Sequence, residues 1–298
     1  MKNILIIGCG LLGSSLLRRI QKKKMANKIY IYEKSKSNIT KIKKLKLPGI
    51  IIKKLEDGII KSNLIILCTP MSEYKNLILK MNKFLSPRTI MTDIGSSKIE
   101  SSKIIKKFLR KDIFWTQSHP IAGSEVSGPE HGKQDIFENK WCVLIKEKNT
   151  KKIHLNVLNK FWKKIGSKVV IMSPEKHDKI FSITSHLPHL IAYNLVKSAQ
   201  DFEKIQNYDL IKYSAGGLRD FSRIAASNEI MWRDIFFNNK KNISIAIDLF
   251  IKNLNSFKKD INSKNNKSIL KKLIQTKKVR TKIIRLKQDI NKPDFGRG

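Results

Sequence analysis

The stretch "NILIIGCGLLGSSLLRRI", residues 3–20, decides how the rest of the chain is read. Ile4–Ile7 is a short unbroken apolar run, the pattern of a strand covered on both faces of a parallel sheet. Gly8, Gly10 and Gly13 follow at once in the spacing G-x-G-x-x-G, and Leu12, Leu16, Leu17 and Ile20 then recur at helical intervals. Such a triplet is weak evidence alone and informative between a strand and a helix. Gly8 serves the tight turn, Gly10 lets backbone approach a pyrophosphate, and Gly13 allows helix and strand to pack closely. The free N–H groups of the helix start favour phosphate, so Leu11 and Leu12 join the three glycines as cofactor-binding positions.

The next strand, 28–33, ends in Glu33, twenty residues after Gly13. A carboxylate there accepts hydrogen bonds from a ribose and repels a 2′-phosphate, which favours NAD. Lys34, Ser35 and Lys36 follow and leave NADP open. Strand patterns recur at 63–69, 88–94, 113–118, 141–145 and 168–172, with helices at 71–85, 98–109 and 151–165 between them. That alternation predicts a doubly wound, mainly parallel α/β Rossmann domain over residues 1–172. Thr69-Pro70, Asp93–Ser96 and His119 fall past the carboxyl ends of strands, where open α/β sheets bind ligands. His119 belongs to "QSHPIAGSEVSGPE" (117–130), a Gly/Pro/Ser-rich segment read as a loop.

Ser173-Pro174-Glu175 is a strong helix start, and the pattern stays helical from there, predicting an all-α domain over 173–298. His186 and His189, three residues apart, share a helix face, and Pro188 between them predicts a kink. Gly216-Gly217 interrupts the helices before Arg219, Asp220, Arg223 and Arg233. An arginine beside Phe221 and Ile224 suits bidentate recognition of a carboxylate. Residues 245–254 read as a core or dimer helix, 259–268 as a polar linker, and 269–286 as a terminal helix with a solvated lysine face.

Composition excludes more than it assigns. Of 298 residues 41% are hydrophobic and 29% charged, which fits a globular chain rather than a disordered one. The net charge of +37 comes from lysines spread through nearly every block of ten residues. That reads as a filling of solvent-facing positions, helpful to anionic small substrates, more than as a nucleic-acid footprint. Three cysteines with no CxxC predict buried thiols in a reducing cytoplasm. The apolar run before Cys9 is too short for a signal peptide, and no segment approaches the ~18 apolar residues of a membrane span. His119, His186 and His189 lack any metal-ligand spacing, so no metal is expected.

Taken in order, "GCGLLGSSL" (8–16), "DIGSSK" (93–98), "HPIAGSEVSG" (119–128), "SHLPH" (185–189) and "GGLRDFSRIAASNEIMWRDI" (216–235) resemble the prephenate/arogenate (cyclohexadienyl) dehydrogenase family of tyrosine biosynthesis. The resemblance runs over nearly the whole chain. It implies a Rossmann domain followed by a helical dimerisation domain, and a stand-alone homodimer without a fused mutase or regulatory domain. The implied reaction is NAD- or NADP-linked oxidative decarboxylation of prephenate to 4-hydroxyphenylpyruvate, or of arogenate to tyrosine. Residue by residue, Ser96 and His119 match the catalytic serine and histidine near the ring hydroxyl. His119 would be the general base, with Ser96 orienting the hydroxyl and fixing the imidazole tautomer. His186 and His189 match pocket histidines, and Arg223 the substrate-carboxylate arginine. Asp220 and Trp232 match positions supporting the arginine's loop, Glu125 matches a polar gating position, and Ser124 stands where some members have threonine. Two other readings stay open: a Rossmann β-hydroxy-acid dehydrogenase, which would rely on a lysine rather than His119, and a basic nucleic-acid-binding protein, which leaves the glycine turn unexplained.

Overall fold

In the computed structural model, which describes residues 2–286 and 288, β1 (Asn3–Ile7) leads into α1 (Leu11–Lys22). β2 (Lys28–Tyr32), α2 (Lys36–Lys44), the two-residue β3 (Ile50–Ile51), α3 (Leu55–Lys61) and β4 (Leu64–Leu67) follow. Next come α4 (Tyr74–Met81) between two 3-10 turns, β5 (Ile90–Asp93), α5 (Ile99–Phe108) and β6 (Phe114–Trp115). These six strands are all parallel, in the order β3-β2-β1-β4-β5-β6. The order reverses direction beside β1, the switch point at which such sheets bind dinucleotides.

The central strand shows why the opening run is apolar at every position. Ile4 and Ile6 pack on one face with Leu16, Leu17 and Ile20 of α1. Leu5 and Ile7 pack on the other with Ile59, Tyr74 and Leu77. Both faces are covered by helices, so alternation would bury polar groups. The glycine turn is equally constrained. Gly8 has φ +88°, and a Cβ on Gly13 would lie 2.1 Å from the Gly8 carbonyl oxygen.

After β6 the chain departs from the single sheet expected. β7 (Ser118–Pro120), β8 (Trp141–Ile145) and β9 (Lys168–Met172) form a second, three-stranded sheet, with α6 (Lys152–Ile165) between the last two. β7 runs antiparallel to β8, and β8 parallel to β9. The strand predicted over 113–118 is therefore split. Thr116 N–H still bonds the Met91 carbonyl, whereas the Gln117 carbonyl accepts from Ile145 N–H. His119 is not in a loop: it is the middle residue of β7, opposite Val143. Pro120 is tolerated because β7 is an edge strand. The stretch 34–62, unassigned in the sequence, holds α2, β3 and α3; α2 buries only Ile42, too little for a periodic signal.

The helical part begins with α7 (Pro174–Phe181), whose N-cap Ser173 accepts from Lys176 N–H. A π-helical turn, Ser182–His186, joins it to α8 (Leu187–Gln206). The kink expected at Pro188 is this turn instead. Leu187 N–H reaches back five residues to the Ser182 carbonyl, and Pro188, without an N–H, sits at the second position of α8. α9 (Gly216–Ala225), α10 (Glu229–Asn238), α11 (Lys240–Asn262) and α12 (Asn266–Arg285) complete the order. The linker expected over 259–268 shrinks to residues 263–265. Asp260 bonds Ser268 and Lys272, each at 2.6 Å, across that turn. The chain divides into two compact units after Ile243. No helix among the described residues is long and apolar enough to cross a membrane.

Candidate active site

β5 delivers Asp93 to its carboxyl end, and the side chain is fully buried. Its Oδ2 accepts from Lys98 Nζ (2.7 Å), Tyr74 hydroxyl (3.0 Å) and Gly95 N–H (3.0 Å). Its Oδ1 accepts from Trp115 Nε1–H at 3.1 Å. Lys98, also fully buried, donates a second bond to the Ser118 carbonyl at 2.7 Å. A buried ion pair persists when further hydrogen bonds satisfy both partners, as they do here. The pair pins the 94–97 turn that carries Ser96 and fixes the backbone just before His119.

From His119 a chain of bonds runs inward. His119 Nδ1 lies 2.8 Å from His177 Nε2, and His177 Nδ1 lies 2.7 Å from Asp178 Oδ1. Asp178 also accepts Lys98 N–H at 2.8 Å and Ile99 N–H at 2.9 Å, closing the start of α5. A carboxylate only accepts, so His177 carries its proton on Nδ1 and accepts at Nε2. His119 must then be protonated on Nδ1, which leaves Nε2 bare. His177, not Ser96, thus fixes the tautomer. Burial pushes the His119 imidazole well below the usual histidine range, helped by neighbouring His177 and the Lys98 cation. His177 moves the same way, again chiefly by burial.

His119 opens onto a cavity of ≈ 870 Å³. Gly8, Gly10, Leu11, Leu12, Glu33, Thr69 and Pro70 line one side of it, and Ser96, His119, Ser124, Glu125, His189 and Arg223 the other. Arg223 of α9 pairs with Glu125 from the β7–β8 connection. His189 stacks on Trp232, with centroids 3.8 Å apart, and donates from Nδ1 to the Ser185 carbonyl at 2.9 Å. Three expected residues stand off the lining. Gly13 packs under the turn, Asp220 lies on α9 away from the cavity, and His186 is enclosed beside Asn239. Burial lowers the His186 pKa to about 4. The two histidines therefore do not share one environment, because the π-helical turn ends at the first of them.

Sequence reading missed His177, Asp178, Lys98 and also Asp234. Asp234 lines the cavity and accepts Ser72 N–H at 2.9 Å, tying α10 to the turn before α4. The one available signal was the adjacent His-Asp pair just inside a well-capped helix.

The donor set suits a dinucleotide. Gly10, the N-cap of α1, has no side-chain cap, and nothing lies within 4 Å of where a Cβ would be. The first-turn N–H groups are thereby left for an anion. Glu33 is fixed by Cys9 N–H (2.8 Å) and Ser35 N–H (2.9 Å), with further lone pairs left over. Among the described residues no cluster of three or more His, Cys, Asp or Glu could hold a metal ion.

This sheet order, glycine turn and buried imidazole define a nucleotide-binding oxidoreductase fold. The chain belongs to the prephenate dehydrogenase family: residues 16–171 match its nucleotide-binding domain and 173–276 its dimerization domain. Cyclohexadienyl dehydrogenase of Zymomonas mobilis is 31% identical over 279 residues, 94% of this chain and 95% of that protein. Prephenate dehydrogenase of Bacillus subtilis is 30% identical over 260 residues, 86% of this chain and 69% of that one. The crystal structure of Aquifex aeolicus prephenate dehydrogenase, in complex with hydroxyphenyl propionate and NAD+, superposes with a TM-score of 0.88 at 34% identity. It covers 95% of this chain and 98% of its own.

Proposed function

We propose that the chain oxidises and decarboxylates prephenate, or arogenate, with NAD+ as oxidant. The observation that carries this reading is the tautomer: a buried neutral imidazole whose Nε2 is bare, at a cavity with a glycine turn on one side and an arginine on the other. Gly8, Gly10, Leu11 and Leu12 would hold the pyrophosphate, Glu33 the ribose, and Thr69 and Pro70 the cofactor's edge. NAD, when bound, takes up the hydride that leaves the carbinol carbon.

His119 withdraws the hydroxyl proton at Nε2 as the hydride departs. The bond to the ring carboxylate then breaks, CO2 leaves, and the electron pair aromatises the ring. The oxygen regains its proton and becomes a phenol, so the reaction as a whole releases none. Ser96 orients the hydroxyl. Arg223 holds the side-chain carboxylate and not the departing one, because tight ground-state binding of a group that must become neutral CO2 would slow the step. Its pairing with Glu125 keeps the guanidinium aimed at the cavity.

Residues 1–172 would carry the cofactor, and residues 173–298 the substrate-facing helices and a homodimer contact. The match to a dimerization domain and the exposed Leu249, Leu254, Leu270 and Leu273 support the dimer. Free cysteines at 9, 68 and 142 suit the cytoplasm.

The test is a two-by-two assay of prephenate or arogenate with NAD+ or NADP+. Reduced nicotinamide should form with NAD+ and far less with NADP+; no turnover of either acid would sink the proposal. Arg223→Ala should raise KM about 10- to 100-fold, the worth of a charge-assisted bond, with kcat little changed. A fall in kcat at constant KM would instead place Arg223 on the departing carboxylate.

A further inference from the structure

His177 and Asp178 exceed what a simple base needs. His189 shows the economical alternative: its Nδ1–H rests on a backbone carbonyl, which fixes the tautomer. His119 instead rests on a second imidazole that can itself take a proton, backed by a carboxylate. Both inner side chains are wholly buried. The path therefore leads away from the cavity and ends inside the protein. That suits a proton that must be withdrawn and then returned to the same oxygen.

We propose that His119, His177 and Asp178 form a dead-end proton wire that stores the substrate's hydroxyl proton during hydride transfer and gives it back on aromatisation. The inference rests on His119 being the base. As Nε2 of His119 gains the proton, its Nδ1–H passes to His177 Nε2, and the His177 Nδ1–H passes to Asp178 Oδ1. The first shift breaks the substrate's O–H bond and forms His119 Nε2–H; each of the next two breaks one N–H bond and forms one N–H or O–H bond, and no electrons are gained or lost along the wire. The loaded state is two neutral imidazoles and a carboxylic acid. After CO2 leaves, the three shifts reverse.

The surroundings favour moving the charge. Lys98, paired with Asp93, acts on His119 from the β5–α5 turn, His177, bonded to Asp178, from α7, and His186 from the π-helical turn. Cys142 faces it from β8, its thiol pushed up by burial. The Lys98 ammonium opposes an imidazolium at His119. Asp178 is readied to receive a proton, since burial raises its pKa against the pull of two backbone N–H groups.

His177→Gln separates a wire from a mere support. A glutamine amide can accept from His119 and donate to Asp178, yet cannot relay. Expected are a fall in kcat of about 100-fold or more, a KM within about two-fold, and a change in proton inventory. The inventory, measured in H2O/D2O mixtures with substrate deuterated at the carbinol carbon, should be curved in the wild type and linear in the variant. In the unliganded wild type, 15N NMR of the imidazoles should show both rings protonated on Nδ1. A variant keeping more than a third of wild-type kcat, a linear wild-type inventory, or a His177 protonated on Nε2 would overturn the wire. Should the wild type turn over neither acid, the proposed function fails. Should it be active, sensitive to His119→Asn and indifferent to His177→Gln, the wire alone fails.

Discussion

His119→Asn is expected to lower kcat by roughly 10²- to 10⁴-fold, the usual contribution of a positioned general base, with KM changed only a few-fold. Asparagine can keep a bond towards His177 but has no lone-pair nitrogen to accept the hydroxyl proton. The wild-type pH profile supplies the second part of the result. Burial above all, then His177 and the Lys98 cation, hold the His119 pKa well below the ordinary value of 6.5. A lowered pKa means that the neutral, competent form persists to lower pH. The acid limb of kcat/KM should accordingly lie well below pH 6.5, and the Asn variant should lack it. Initial rates between about pH 4.5 and 8 decide the matter. A wild-type limb at or above pH 6.5, or the same limb in the variant, would remove His119 from the role.

Lys98→Met should be the most damaging single change to stability. Methionine fills much of the volume but leaves Asp93, fully buried, without its cation. Breaking a buried pair from one side costs about 3–5 kcal/mol, mostly the penalty of the stranded charge. At about 2–4 °C per kcal/mol for a protein of this size class, Tm should fall by roughly 6–20 °C in calorimetry. Adding Asp93→Asn should recover part of the loss, because an amide oxygen at the Oδ2 position would still accept from Tyr74 and Gly95 with no charge left stranded, at the cost of the Trp115 bond. A drop below about 2 °C in the single variant would mean that Asp93 tolerates the loss. Removing the Lys98 charge should also move the acid limb of the rate profile upward, towards the ordinary histidine range.

What could be read in the sequence was local. The run Ile4–Ile7, the glycine spacing and the leucines of α1 stand side by side, so strand, turn and helix follow from neighbours. The same holds for Ser173-Pro174 at the start of α7. β7 escaped because its identity depends on β8, more than twenty residues away, while Pro120 and Gly123 locally signal a loop. β3 escaped because two residues carry no period.

The site divides along the same line. Gly8, Gly10, Glu33, Ser96, His119 and Arg223 lie in recognisable motifs, and the cavity gathers them. Lys98 was one of 61 basic residues, and nothing in its neighbours marks it as wholly buried. His177-Asp178 reads as an ordinary polar stretch of a short helix; only the packing of α7 against α5 encloses it. His186 looked equivalent to His189 until the wide turn put it elsewhere.

Asp178 binds two tasks into one side chain, since the carboxylate that closes α5 also holds the ring behind His119. The two family segments meet at residues 171–173, yet the bonded imidazoles of His119, the proposed base, and His177 come from opposite sides of that junction. Chimeras spliced there between relatives would inherit a mismatched anchor unless 93–99, 119 and 177–178 travel together. A fragment stopped at Met172 would keep the imidazole and lose its grip on which nitrogen is bare.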